Sequence, residues 1–144
     1  MIKIALVGDI GSGKTFIANM FNYPIFSADD EVTKIYSTDV KCFKKLNKKL
    51  PKFFFTFPIE KKKLIQAILQ KNKNLKKITK IIHPTVKQKM KVFLKRNRKK
   101  EFVILDIPLY LENKLNGKDD IIIYIQSKKS EINRRLKKRK NYNR

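Results

Sequence analysis

The feature that most restricts the fold is an eight-residue run, Gly8-Asp9-Ile10-Gly11-Ser12-Gly13-Lys14-Thr15, which satisfies G-x-x-x-x-G-K-[ST] at every fixed position. It follows Ile2-Lys3-Ile4-Ala5-Leu6-Val7, a mostly apolar run of strand length, and precedes Phe16, Ile17, Met20 and Phe21 at near-helical spacing. A strand, a glycine-rich turn and a helix in that order make a phosphate-binding loop. The glycines let backbone N–H groups turn inward around an anion, and the helix N-terminus adds its positive dipole end. Gly8, Asp9, Ile10, Gly11, Ser12 and Gly13 are therefore expected to cradle the phosphates of a nucleoside triphosphate. Lys14 is placed to reach the β- and γ-phosphates, and the Thr15 hydroxyl to ligate Mg²⁺. The alternative is a turn that binds nothing, and the flanking strand and helix argue against it. The motif is silent about the acceptor.

The remaining pattern alternates strands and helices. Pro24-Ile25-Phe26 reads as a second strand ending at Ser27, and Asp29 and Asp30 open a helix through about Val40. From about 41 to 98 the stripes Leu64-Ile65-Ile68-Leu69, Leu75-Ile78-Ile82 and Val86-Met90-Phe93-Leu94 predict a largely helical insertion, with Pro84 breaking it in the middle. Strand character returns at Phe102–Leu105, ending in Asp106, and at Ile121–Ile125. A final helix is expected over about 128–140. Continuous apolar strands separated by helices predict an α/β fold with a parallel sheet covered on both faces. The 144 residues are read as one domain with a single core.

Composition narrows the class. Lys and Arg number 36 against 12 Asp and Glu, a formal net charge of +24. Ile, Leu, Val and Phe nevertheless supply about a third of the residues, above the ~20% below which disorder is expected. Thirty of the cations are lysine and six arginine, whereas specific nucleic-acid readers use Arg forks and interleaved aromatics. The chain is also rich in Asn and Ile, a bias that AT-rich coding produces without selection for binding. The basic excess is read as solvated surface rather than a nucleic-acid face, although its field draws in phosphorylated coenzymes. One cysteine, Cys42, and one histidine, His83, exclude an intrachain disulfide framework and a cysteine-rich zinc site. No apolar run approaches the ~20 residues that cross a bilayer, and no signal peptide is evident. A soluble cytoplasmic monomer is expected.

Few carboxylates remain to carry chemistry. Asp29, after the second strand, can accept a proton from an attacking hydroxyl or hold Mg²⁺ through water; it can equally cap a helix. Asp106, at the end of an apolar strand, is the expected partner of Mg²⁺, with a strand-end turn as the bland reading. His83-Pro84 reads as a structural cap at a helix break. Arg135 and Arg139, four apart, share a helix face and can point two guanidinium groups at transferring phosphate; without the phosphate loop they would be surface charges.

Together these elements resemble the dephospho-coenzyme A kinase family. Gly8-Asp9-Ile10-Gly11-Ser12-Gly13-Lys14-Thr15 is close to that family's G-G-I-G-S-G-K-[ST]. Ser27-Ala28-Asp29 stands where the family has Asp-Ala-Asp and keeps the second Asp, the family's proposed base. His83-Pro84 matches its His-Pro element at the start of a helix, associated with the coenzyme. Asp106-Ile107-Pro108-Leu109-Tyr110-Leu111-Glu112 resembles its P-L-L-x-E segment, with Pro108, Leu109 and Glu112 in register. Arg135 and Arg139 fall where the family carries arginines entering its lid. The resemblance implies a three-layer P-loop kinase fold, with the insertion at about 41–98 binding the coenzyme and a lid starting at about 128–144.

It also implies ATP, Mg²⁺ and dephospho-coenzyme A as the molecules bound, and phosphorylation of the acceptor's 3′-hydroxyl. In that reaction Lys14, Asp29 and Arg139 are catalytic and Arg135 contacts ATP. Asp29, His83, Pro108 and Glu112 contact the acceptor, and Thr15 and Asp106 hold the metal. Asp9 departs from the family's second glycine, and Ser27 from its first Asp. The family continues beyond the lid arginines, so the C-terminal part of its fold is expected to be missing here. Two alternatives stay open: another small P-loop kinase acting on a nucleotide or metabolite, and a non-catalytic basic protein that binds nucleotide or nucleic acid on a retired kinase scaffold.

Overall fold

Four strands, β1 (Ile2–Val7), β2 (Ile25–Ser27), β3 (Phe102–Asp106) and β4 (Ile121–Tyr124), form one parallel sheet in the order β2-β3-β1-β4. The structure is a computed structural model that describes residues 1–108, 110–111 and 117–138. The chain forms two compact units: Met1–Ser27 with Leu94–Arg144, which holds the sheet, and Ala28–Phe93, which is helical. The helical part thus starts at Ala28 rather than about 41, because the helix after β2 belongs with those that follow it.

In the sheet unit, α1 (Lys14–Met20) follows the glycine loop and α6 (Lys129–Lys137) follows β4. Ile4, Leu6, Ala18 and Ile104 make a buried cluster, with Ile17, Phe21, Tyr23 and Phe102 around it. Phe16 and Met20, expected on the buried stripe of α1, are instead exposed at 71% and 68%; the small Ala18 is what the sheet accepts. Among the described residues the sheet is least covered at β4. Ile121, Ile122 and Tyr124 on this edge strand are exposed, so its apolar run does not report two covered faces. The start of β4 is tied to β1 through Asp120, which pairs with Lys3 Nζ at 2.6 Å and accepts hydrogen bonds from Tyr110 Oη (2.7 Å) and the Gly117 N–H (2.6 Å). Burial alone would raise the Asp120 carboxyl, yet Lys3 and the two neutral donors hold it below its ordinary value.

The helical unit comprises α2 (Ala28–Thr38), α3 (Val40–Lys49), α4 (Lys61–Gln70) and most of α5 (Asn72–Arg96). The helix expected to reach Val40 stops at Thr38 because Asp39 caps the next one, accepting the Cys42 N–H at 2.9 Å. Ile35, Leu46, Phe54, Leu64, Ala67, Ile78 and Ile82 belong to its core. Pro84 does not break the helix: it lies inside α5. An interior proline forfeits a backbone hydrogen bond, about 3 kcal/mol in an exposed helix. Here Ile78 and Ile82 before it and Val86 after it pack on the same core, which holds both halves in one helix. No described helix is long and apolar enough to cross a membrane.

Candidate active site

The order β2-β3-β1-β4 sends the chain leaving β1 toward β2 and the chain leaving the adjacent β3 toward β4, in opposite directions along the sheet. Diverging connections open a crevice at the carboxyl ends of the two strands, where ligands of open α/β sheets bind. The phosphate loop and Asp106 lie at those ends. Gly8, Gly11 and Gly13 have φ of 144°, 84° and 101°, conformations that side chains resist. A Cβ on Gly8 would collide with the Ile125 carbonyl oxygen. The Ser12 N–H donates to the Asp9 carbonyl at 3.1 Å, closing the turn, and Gly13 is the N-cap of α1. Lys14 Nζ donates to the Gly8 and Asp9 carbonyls, both at 2.8 Å, so the ammonium is held against the loop. Asp9 and Ile10 are exposed.

Thr15 Oγ1 donates to Asp106 Oδ2 at 2.7 Å. Asp106 is only 7% exposed, and its Cα is in register with Leu6 of β1 and Ser27 of β2. The sequence places these residues 91 apart, and the parallel pairing of β1 with β3 brings them together. A buried carboxylate beside a hydroxyl is a pair of hard oxygen donors.

The segment after β4 completes the loop's surroundings. Ser127 Oγ donates to the Ser12 carbonyl at 2.7 Å, and Arg135 Nη1 donates to the carbonyls of Gly11 (3.2 Å) and Ser12 (3.0 Å). Arg135 therefore meets the loop's backbone, where the sequence suggested a guanidinium aimed at phosphate. Ser127 was not anticipated: a lone serine between Gln126 and Lys128 carries no signal, and only the β1–β4 pairing brings it to the loop.

The other expected residues are placed as follows. Asp29 is exposed in the helical unit, within the first turn of α2, where Asp30 and Glu31 also favour the helix dipole. It is a residue of the helix itself, two positions beyond the end of β2. His83 is exposed and lies inside α5, not at a helix start. Pro108 is exposed just after β3. Leu109, Glu112 and Arg139 lie outside the described residues. The sheet unit thus gathers Gly8 through Thr15, Asp106 and Arg135, while Asp29 and His83 belong to the helical unit.

The family model described as dephospho-CoA kinase matches residues 2–144. A dephospho-CoA kinase of Bartonella henselae is 33% identical over 86% of this chain and 66% of its own length. One from the Wolbachia of Brugia malayi is 30% identical over 94% of this chain and 72% of its own. This chain therefore spans about two thirds of the length of such relatives. The crystal structure of TT1252 from Thermus thermophilus superposes with a TM-score of 0.77 at 24% identity, covering 96% of this chain and 72% of that one, a likeness of fold. With the loop, the Thr15–Asp106 pair and the family match in agreement, the chain belongs to the dephospho-CoA kinase family.

Proposed function

We propose that this chain transfers the γ-phosphoryl group of ATP to the 3′-hydroxyl of dephospho-coenzyme A, giving ADP and coenzyme A. The observation that carries the proposal is the 2.7 Å bond between Thr15 and Asp106 beside the phosphate loop, in a chain of this family. The acceptor oxygen forms the new P–O bond as the bond to the β-phosphate oxygen breaks. A loose transition state of this kind needs placement and charge neutralisation more than a strong base. Lys14 and the loop amides supply donors to the β- and γ-phosphates. Asp29 orients the acceptor hydroxyl and takes its proton late.

The donor set suits Mg²⁺. Among the described residues no group of three or more His, Cys, Asp or Glu could hold a metal, so an all-protein cage is absent there. Mg²⁺ bound through few protein ligands keeps waters and substrate phosphates instead. Thr15 and Asp106 would hold it, and it would neutralise charge on the β- and γ-oxygens. His83, Pro108 and Glu112 would contact the coenzyme, and Arg139 the transferring group. The setting would be the cytoplasm, and the protein a monomer without a nucleic-acid partner.

An acceptor panel with ATP and Mg²⁺ tests this. ADP and coenzyme A formed in equal amounts only with dephospho-coenzyme A is the expected result. Phosphorylation of a nucleoside monophosphate instead would reassign the substrate. Salt-dependent RNA binding without any transfer would support the non-catalytic alternative.

A further inference from the structure

The phosphate loop is gripped from outside by side chains that the transfer chemistry does not require there. Three hydrogen bonds from the segment after β4 reach two successive loop carbonyls: Ser127 Oγ and Arg135 Nη1 both donate to Ser12, and Arg135 Nη1 also donates to Gly11. Arg135 further donates to Ser127 Oγ at 3.2 Å, so the two side chains hold each other. We propose that Ser127 and Arg135 form a latch that fixes the peptide plane between Ser12 and Gly13, making Arg135 a positioning residue that acts on nucleotide phosphates through the loop.

In a planar trans peptide the N–H points away from the C=O. Drawing the Ser12 carbonyl toward Ser127 and Arg135 therefore turns the Gly13 N–H to the opposite side of the loop. The Gly11 carbonyl is drawn the same way, while the Ser12 N–H is already committed to Asp9. The latch thus leaves the Gly13 amide as the donor whose direction it controls.

Close packing backs it. A Cβ on Gly13 would come within 3.3 Å of Arg135 Nη1, and one on Gly11 within 3.1 Å of Leu136 Cδ2 and 3.4 Å of Ile132 Cγ2. Arginine suits the task because its guanidinium is rigid and permanently charged, and can serve adjacent acceptors. Each of these bonds leaves the same nitrogen, Nη1, which the planar guanidinium holds in place, whereas lysine would keep the charge on a freely rotating ammonium. Ser12 itself is 3% exposed and its Oγ has no hydrogen-bond partner among the described residues, so the side chain does not anchor the loop and the carbonyl does.

The effect on phosphate rests on the ATP-binding reading above, so the test separates the two. ATP is titrated calorimetrically into wild type, Ser127→Ala, Arg135→Lys and the double variant. Arg134→Gln is the control, since Arg134 pairs with Glu131 on α6. The Gly13 amide resonance is followed in the nucleotide-free proteins. The latch predicts about tenfold weaker ATP binding for Arg135→Lys, the scale of one charge-assisted hydrogen bond. Ser127→Ala should lose less, and the double variant less than the product of the two, because both donors serve one carbonyl.

The Gly13 resonance should move in all three variants and stay in Arg134→Gln. Unchanged ATP affinity in both single variants with an unmoved Gly13 resonance would overturn the latch. If Arg135→Lys does not fold, Ser127→Ala decides alone; if wild type binds no ATP, the Gly13 resonance decides. None of these readouts needs an acceptor. Failure to phosphorylate dephospho-coenzyme A would remove the proposed reaction and leave the latch, whereas an active wild type with unaltered variants would remove only the latch.

Discussion

The two units bury polar groups for different ends. In the sheet unit, among the described residues, Ser12 in the loop after β1 and Asp106 at the end of β3 are buried polar residues on the side of the sheet where a ligand can approach. In the helical unit, among the described residues, it is Asn74, whose amide caps the Ala67 carbonyl near the end of α4 at 2.8 Å. Cys42 there is a buried thiol against Thr85 Oγ1 at 3.2 Å; burial pushes its pKa up and makes it a packing group. Burial likewise pushes Tyr36 up to about 12. Polar burial beside the phosphate loop stands where a ligand can approach, whereas Asn74 in the helical unit, like the buried Asp120 carboxylate that ties β4 to β1 in the sheet unit, completes the scaffold.

Four substitutions probe the difference between the units. The largest effect is expected from Lys14→Ala, which should lower turnover by about 10²-fold or more while leaving the circular dichroism spectrum unchanged. Near-wild-type ADP release from that variant would move the chemistry away from the loop. Asp106→Asn keeps an acceptor for Thr15 but loses the charge, so turnover should fall by about tenfold or more with a raised Mg²⁺ requirement. An unaltered Mg²⁺ titration would remove Asp106 from the metal site.

On the other side of the comparison, Leu46→Ala should cost about 2–5 kcal/mol in urea unfolding, because its side chain is fully buried. ATP affinity of the folded variant should persist, and a loss comparable to that of Lys14→Ala would erase the distinction between the units.

The smallest effect concerns Asp120. Its folded pKa lies below the ordinary 3.8, so the native state favours the carboxylate. That stabilisation is complete above the ordinary value and is lost as pH falls through the folded one. Acid unfolding of Asp120→Asn should therefore lack part of the wild-type loss of stability below about pH 4. Parallel curves for the two proteins would show that Asp120 contributes no linkage.

Legibility in the sequence followed the same division. Strands and the phosphate loop were readable because a motif and continuous apolar runs carry their own geometry, and the same runs put Asp106 at the end of β3, where it meets Thr15. The helical unit misled at Pro84, where local chemistry argues for a break and core packing on both sides overrides it. Phe16 and Met20 misled for a related reason: helical spacing identifies a stripe without saying which edge of it the sheet will bury. Ser127 was invisible, since its meaning comes only from β1–β4 pairing. The role suggested for Arg135 followed from its charge, whereas its observed partners are two loop carbonyls and the Ser127 hydroxyl.

We propose that the loop grips ATP while Asp29 receives the proton of the acceptor alcohol. The most direct measurement of this is the initial rate of ADP release from this chain, with and without dephospho-coenzyme A, for wild type beside Asp29→Asn. ADP release that requires the acceptor and falls by about 10²-fold or more in Asp29→Asn is the predicted result. Release independent of the acceptor, or unchanged by Asp29→Asn, would contradict it.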